Sequence, residues 1–518
     1  MLYYQSRKGC QKNSYLTNLL FLLAFVVTGC SSEGFQQKKE ITMEAFSSLK
    51  TPVFELSPEQ VQSTINKMGQ VGRDSLSPDC RTALYYHQGN GLLWIDRQGI
   101  TPMADTLVQC LHELSNIGLS ETYFKVKEIE EDIQRYRSLD FDQQHKVSDI
   151  AARLDYNLTR AYLQYASGQR YGFVNPRAAI GGMYDVAIER PNEAFYQSAF
   201  RKVLADSVGE FLRAAEPQTS LYSQLKRQLV DSTSDASRRR ILINMERCRW
   251  RDKRPMPTTG KRIVVNIPAF MLYAYGPNSS MEMRIGCGKV ITKTPLLSSA
   301  IEYMQVNPEW NIPQSIVNND VLHHAGDSGY FARHRYYIAD RSTGKKVPIG
   351  SVSSSMLASG KYRVSQDGGR GNSLGRIVFR FKNNFSVYLH DTSTPGFFQN
   401  AWRGVSHGCV RVQRPFDLAC FLLGNTVDEW TLDKIRISMD IPPVTEQGSE
   451  YVRTHSGGMD ENGRRLPHRL VATLQVTPHV PLYITYYTLY PDLSGRIQSY
   501  PDVYGYDQSV WTHLKRFI

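Results

Sequence analysis

The chain has 518 residues, room for two to four domains at about 100–200 residues each. Hydrophobic residues make up 41% and charged residues 21%, which excludes a disordered or collagen-like chain. Sixty-one basic against 49 acidic residues leave +12, a modest excess that suits an acidic substrate or a polyanionic surface. The 8 cysteines are scattered and none pair as CxxC, so neither a disulfide scaffold nor a structural zinc site is expected.

Arg7, Lys8 and Lys12 precede an apolar run, Leu19 to Val27. At nine residues the run is too short to span a bilayer, which takes about 20, but suits the core of a signal peptide. It ends in Val27-Thr28-Gly29-Cys30, which resembles a bacterial lipobox. Residues 1–29 are therefore expected to be a lipoprotein signal, with Cys30 the lipidated first residue of the mature chain. That places the protein in the cell envelope, on the periplasmic side, tethered to the inner or the outer membrane. Residues 30–52 are polar and read as a flexible tether.

Residues 53–258 read as a helical domain. Leu107, Leu111, Leu114 and Ile117 form one apolar helical stripe, and Ile150, Leu154, Leu158, Ala161 and Tyr165 another, with Gly168 as a stop signal. The stretch 235–262 is strongly basic, with a run of cations from Arg238 to Arg254, and reads as a solvated helix face leading into a linker, with contact to an anionic envelope polymer as the second reading. Pro255-Met256-Pro257-Thr258-Thr259-Gly260 marks a domain boundary.

The hydrophobic period then changes. Arg262–Ile267 and Met271–Tyr275 predict two strands turning at Pro268. Ile377–Phe381 and Phe385–Leu389 predict a hairpin around Asn383-Asn384. Pro415–Leu423 predicts a short helix closed by Gly424, residues 445–466 a polar surface loop, and Val480–Leu489 a late strand. The fold class is α+β, a helical N-terminal half followed by a mostly-β half.

The chemistry gathers around His390, at the end of a strand, and Ser406-His407-Gly408-Cys409-Val410-Arg411 sixteen positions further on. A cysteine beside a glycine, with histidines near, is a candidate nucleophile. Its thiolate is the reactive form, and a paired imidazole lowers the thiol pKa by roughly one to five units. Gly408 leaves room for a carbonyl to approach, and backbone N–H groups there suit a developing oxyanion. His390, His407 and Cys409 are also a conceivable zinc set, but no further ligand stands at a convincing spacing, so no metal is expected.

The pattern from His390 to Arg411 resembles the signature of YkuD-type L,D-transpeptidases. Val265–Phe270, Gly288-Lys289, Lys293-Thr294-Pro295, Asn307–Pro313, Gly371–Arg376 and Leu389–Thr392 are similar to further elements of that catalytic domain in its large, periplasmic branch. Leu92-Leu93-Trp94 and Leu154 through Tyr165 resemble the helical scaffold domain that accompanies it. The resemblance implies a scaffold domain at 53–258 and a catalytic domain at 259–518, with a capping insertion at about 313–375 forming a lid. No room is left for the peptidoglycan-binding module of many relatives, so wall binding is expected to rest on the scaffold, the cleft and the basic surface.

By that resemblance the substrates are peptidoglycan stem peptides, a tetrapeptide donor and a diamino-acid acceptor, joined as 3-3 cross-links through a Cys409 thioester. His390 is the implied base, oriented by the Asp391 carbonyl. Ser406, His407 and Gly408 shape the site or the oxyanion side, and Arg411, Tyr388 and Trp402 are candidate substrate contacts, with Trp310 as a further cleft aromatic. No cofactor and no nucleic acid are expected. Trimming of stem tetrapeptides by an L,D-carboxypeptidase, or a non-enzymatic wall-binding lipoprotein, are the alternatives.

Overall fold

The structure is a computed structural model that describes residues 53–69, 72, 74–277, 279–424, 427–455, 458 and 469–518. The expected signal, Cys30 and the tether lie outside the described residues. Residues from Pro52 to Ile518 form one compact unit.

Helices fill its first half. The longest, Val147–Tyr171, is buried on nearly every side, polar residues such as Asp155, Thr159 and Gln169 included, and runs through the middle of the bundle. Its neighbours include Pro78–His87, Val126–Ser138 and Val208–Ala215. The stripe at Ile150, Leu154, Leu158 and Ala161 is buried, as is Leu107, Leu111, Leu114 and Ile117. The latter spans two elements, since the helix Pro102–His112 gives way to a 3-10 turn at Leu114–Ile117. Gly168 does not end its helix. The Phe173 ring lies where a Cβ would stand, so the glycine admits a close approach, and the helix ends at Gly172, φ 90°.

Asp155, on this central helix, is fully buried. Its carboxylate accepts from the backbone N–H groups of Leu93 (2.8 Å) and Trp94 (2.7 Å) and from the Tyr86 hydroxyl (2.5 Å). Burial raises its pKa to about 6 against those donors.

The second half is built on nine strands: β1 (Arg262–Asn266), β2 (Met271–Tyr275), β3 (Ser280–Gly288), β4 (Leu297–Val306), β5 (Ile377–Phe381), β6 (Leu389–His390), β7 (Gly404–Ser406), β8 (Val410–Val412) and β9 (Thr473–Thr485). Their order is β7-β3-β8-β6-β5-β4-β9-β1-β2, and a further β2–β3 pairing closes the sheet on itself. The fold is α+β. One apolar cluster runs from the helical bundle into the sheet, including Leu158, Leu242, Ile263, Phe379 and Val410.

Three local readings change. The return strand of the hairpin is only Leu389-His390, because the Asn383 side chain closes a wider loop, accepting from Phe385 and Val387 N–H and donating to the Phe381 and Val387 carbonyls. Residues Glu446–Thr454 are helical, not loop, with Thr445 capping the first turn and Asp433 holding Thr445 in place. The late strand starts earlier, at Thr473, and breaks before a separate short strand at Leu489–Pro491.

The arginine-rich stretch is the largest correction. It lies on the helix Asp235–Arg249, whose residues from Ile241 to Arg247 and Arg249 are buried. Arg247 pairs with Asp507 of the C-terminal helix Tyr506–Leu514 at 2.6 Å. Asn244 donates to the Thr488 hydroxyl (2.8 Å) and accepts from its N–H (3.0 Å). Arg239 lies over the Trp511 ring, and Arg249 pairs with Glu246 and donates to Gln169 at 3.0 Å. Arg239 and Arg247 are struts to the C-terminal segment, Arg249 is buried within the helical half, and none of the three is free to serve a polyanion-binding face.

Removing one partner of a buried ion pair strands the other. Arg247→Met is expected to cost about 3–5 kcal/mol in urea unfolding, and Arg238→Ala, on the outer part of the helix, roughly 0.5 kcal/mol or less. Equal losses for the two variants would contradict the strut role.

Candidate active site

Strands β6 and β8 run parallel, with Leu389 opposite Val410 and His390 opposite Arg411. Leu389 and Val410 point into the core. Side chains alternate along a strand, so His390 and Arg411 share the other face, and Cys409, one residue before Val410, falls on that face beside Tyr388. Tyr388's carbonyl accepts the Val410 N–H at 2.9 Å, which fixes the register there.

The loop before β8 is held from two sides. The Ser406 hydroxyl donates to the Cys409 carbonyl (2.6 Å) and accepts the Gly408 N–H (3.1 Å). Thr294 Oγ1 donates to the Gly408 carbonyl (2.8 Å), and Thr292 Oγ1 and the Lys289 N–H both reach the Ser406 carbonyl at 3.0 Å. Gly408 has φ +122°, a conformation that an L side chain rarely adopts. Among the described residues nothing accepts the Cys409 N–H, which leaves a backbone donor open beside the sulfur.

His390 is buried, and its Nδ1 lies 2.6 Å from the Asp391 carbonyl. A carbonyl only accepts, so Nδ1 carries the proton and Nε2 keeps a lone pair. Asp391 is anchored in turn, its carboxylate accepting the Arg376 N–H at 2.8 Å, with its side chain where a Cβ on Gly375 would stand. Burial pushes His390 down to about 4; Arg411 and Arg380 add to the shift, and the Asp391 and Leu374 carbonyls oppose it.

Cys409 is partly exposed. Burial still raises its thiol, against the pull of the Tyr388 backbone, Arg380 and Arg411. The sequence reading expected an imidazole to lower this thiol's pKa. Burial instead favours a neutral thiol and a neutral imidazole at rest, the two cations reinforcing the neutral ring and opposing the neutral thiol.

Among the described residues the Arg411 side chain makes no hydrogen bond, its Nε is buried without an acceptor, and its guanidinium lies 5.7 Å from the Phe397 ring centre. Arg380 stacks on Tyr388 at 4.0 Å and donates to Gln305 at 2.7 Å. Trp402 is 48% exposed and packs edge-on against Phe270, toward β7. Sequence reasoning gave no site role to Arg380, and it matched Thr294 to the catalytic domain without seeing that it holds Gly408. The signal for Arg380 was a lone arginine inside the apolar strand Ile-Val-Phe-Arg-Phe, a charge that only a functional or stacked setting keeps there.

Residues 310–366 form a subdomain with its own four-stranded sheet and its own apolar cluster around Val317, Phe331, Ile338 and Val364. Trp310 belongs to this cluster's edge. The subdomain touches the nucleophile loop through Asp320, whose carboxylate is 3.8 Å from His407 Nε2. Among the described residues no group of three His, Cys, Asp or Glu side chains is placed to hold a metal ion.

With that geometry in view, residues 59–229 match the family model of a scaffold domain, and residues 260–434 match that of the L,D-transpeptidase catalytic domain, YkuD. A Haemophilus influenzae protein named "Putative L,D-transpeptidase" is 25% identical over 342 residues. The match spans 64% of this chain and 63% of that protein's length. The chain thus carries a YkuD-family L,D-transpeptidase catalytic domain joined to a scaffold domain.

The depressed His390 pKa has a checkable sign. Between the ordinary histidine value of about 6.5 and the folded value, the unfolded chain binds a proton that the native imidazole refuses. Stability is therefore expected to fall as pH drops through that window, and His390→Gln to remove that part of the slope. In NMR the His390 ring protons should stay flat from pH 8 to pH 5 and titrate near 4, the folded value. A midpoint near that of free histidine would contradict the buried neutral ring.

Proposed function

We propose that the chain is a peptidoglycan L,D-transpeptidase working through a cysteine thioester. The observation that carries the reading is the register of β6 on β8, which brings Cys409 and the Nε2 lone pair of His390 to one face. The family of the catalytic domain supplies the substrate class, peptidoglycan stem peptides.

Cys409 attacks the carbonyl of the third residue of a tetrapeptide stem, and His390 Nε2 takes the thiol proton as the C–S bond forms. Proton transfer and attack belong to one step, since neither group is charged at rest. The open Cys409 N–H receives the oxyanion, a donor worth about 3–4 kcal/mol in such a position. The imidazolium returns its proton to the departing D-Ala amine. The side-chain amine of a second stem then displaces the sulfur, giving a 3-3 cross-link; attack by water gives the trimmed stem of a carboxypeptidase. Arg411, half-buried near the thiol and without an anionic partner among the described residues, suits a carboxylate of the stem. Residues 313–375 act as a lid over the site, and Tyr388 lines it. Trp402 stands further out, where a longer substrate reaches.

The test is incubation of residues 31–518 with disaccharide-tetrapeptide, followed by intact mass spectrometry. A thioester adduct with loss of D-Ala is expected. Cys409→Ser should abolish the adduct, and His390→Gln should slow its formation by about 100- to 10,000-fold. An adduct that survives Cys409→Ser refutes the mechanism, and binding without any adduct favours a wall-binding role.

We further propose that Cys30 is lipidated and holds the chain on the periplasmic side of an envelope membrane. Cys30→Ser is expected to move the protein from the membrane fraction to the soluble periplasmic fraction. Retention in the membrane fraction would count against the anchor.

A further inference from the structure

We infer that Thr294 is the positioning residue of the oxyanion site: it holds the Gly408–Cys409 peptide in the orientation that turns the Cys409 N–H toward the reacting carbonyl. The inference rests on the transpeptidase reading and gives its open donor a structural cause.

Thr294 follows the end of β3 and is fully buried. Its hydroxyl accepts the Gly288 N–H at 2.9 Å. A carbonyl only accepts, so the single hydroxyl proton goes to the Gly408 carbonyl, at 2.8 Å. With one donor and one acceptor role both filled, the hydroxyl is fixed in direction. The residue is itself held. Its N–H donates to the Tyr504 hydroxyl at 3.1 Å, which donates in turn to the Gly288 carbonyl at 2.8 Å. A Cβ on Gly288 would fall on the Thr292 carbonyl and close to the Thr294 nitrogen, so this turn packs directly on the strand end.

The consequence follows from peptide geometry. The Gly408 carbonyl and the Cys409 N–H belong to one planar trans unit and point in opposite directions. With the carbonyl drawn onto the buried Thr294 hydroxyl, the N–H is turned the other way, on a residue that is only half-buried. Ser406 does not hold this unit. It accepts the Gly408 N–H at 3.1 Å and donates to the Cys409 carbonyl at 2.6 Å, which are groups of the two flanking peptides. Among the described residues the middle peptide is held by Thr294 alone. Glycine at 408, φ +122°, gives a flip of that unit little steric resistance. A flipped peptide would set a carbonyl oxygen where the oxyanion forms and turn the N–H back toward Thr294.

In the reaction Cys409 Sγ bonds to the carbonyl carbon, its proton passes to His390, and the carbonyl π pair moves to oxygen, where the Cys409 N–H meets it. When that pair returns, the C–N bond to D-Ala breaks and the imidazolium gives its proton to the departing nitrogen. The donor gains most as charge develops, so Thr294 acts on the rate of acylation more than on substrate binding.

The test compares Thr294→Val, which keeps the shape and loses the hydroxyl, with Thr294→Ser, which keeps the hydroxyl. Acylation by disaccharide-tetrapeptide is followed by intact mass, and alkylation of Cys409 by iodoacetamide through peptide mapping. Displacement of iodide forms no oxyanion, so alkylation reports on the sulfur and its loop but not on the donor. Thr294→Val is expected to lower the maximal acylation rate by about 10- to 100-fold, with the half-saturating donor concentration and the alkylation rate kept within about twofold. Thr294→Ser should stay within about threefold of wild type throughout. Unchanged acylation in Thr294→Val, equal falls in acylation and alkylation, or a Thr294→Ser as slow as Thr294→Val overturns the inference and leaves the transpeptidase reading standing. Amide hydrogen exchange on the wild-type chain tests the same geometry without a variant: the Cys409 amide should exchange fast and the Gly288 amide slowly. A protected Cys409 amide overturns the inference. Absence of any acyl-enzyme on the wild-type chain overturns the transpeptidase reading and this inference together.

Discussion

The site depends on one short hydrogen bond, from His390 Nδ1 to the carbonyl of the next residue, Asp391. It fixes the tautomer, aims Nε2, and needs no carboxylate to do so. Using a backbone carbonyl has a physical consequence. A carboxylate would stabilise an imidazolium in advance, whereas a carbonyl in a buried setting leaves the ring neutral. The Asp391 carboxylate is spent instead on the Arg376 N–H, holding the turn that presents the carbonyl. Arg380 and Arg411 complete the arrangement: both disfavour a charged imidazole and both favour a charged sulfur. The resting pair is neutral, and charge separation is deferred until substrate excludes water and brings its own oxyanion to the open N–H of Cys409.

The helical half bears on this site through rigidity. The helix Asp235–Arg249 is locked to the C-terminal segment by Arg247–Asp507 and Asn244–Thr488, and the strand β9 that precedes that segment pairs with both β1 and β4. Buried ion pairs contribute little net stability, but they tolerate few relative orientations of the parts they join. Tyr504, from the same segment, donates to the Gly288 carbonyl and accepts from the Thr294 N–H. Thr294 in turn holds Gly408. A continuous chain of polar contacts thus runs from the helical bundle to the residue before Cys409.

Much of this was legible in the residues. The 3.6-residue stripes on Leu107 and Ile150, the strands at 262–275, the helix between Pro415 and Gly424, and the motif around Cys409 all rest on local rules, and local rules hold wherever a segment's own pattern decides its form. The departures share one cause. Arg247 and Arg249 look like solvent-facing charges until Asp507 and Gln169 arrive from elsewhere in the chain and the helix buries Arg249 together with its own Glu246. Gly168 looks like a stop until Phe173 folds back on it. The hairpin return is shortened by a side chain, Asn383, that competes with the backbone ladder. The thiol was expected to be lowered by its imidazole, but a pKa depends on burial, and burial is a property of the finished fold. Arg380 stands shortly before the motif in sequence and meets it only through the packing of β5, where it stacks on Tyr388, and Asp320 lies far from it and reaches it through the insertion.

The central claim is that Cys409 rests as a neutral thiol beside a neutral imidazole and is activated only in the reacting complex. The pH dependence of its alkylation by iodoacetamide tests this directly, with the remaining thiols followed by peptide mapping. The account predicts an alkylation midpoint above the ordinary cysteine value of about 8.5, shifted further up in Arg411→Gln. A rate already on its plateau at pH 6 to 7, the mark of a preformed thiolate–imidazolium pair, would contradict it.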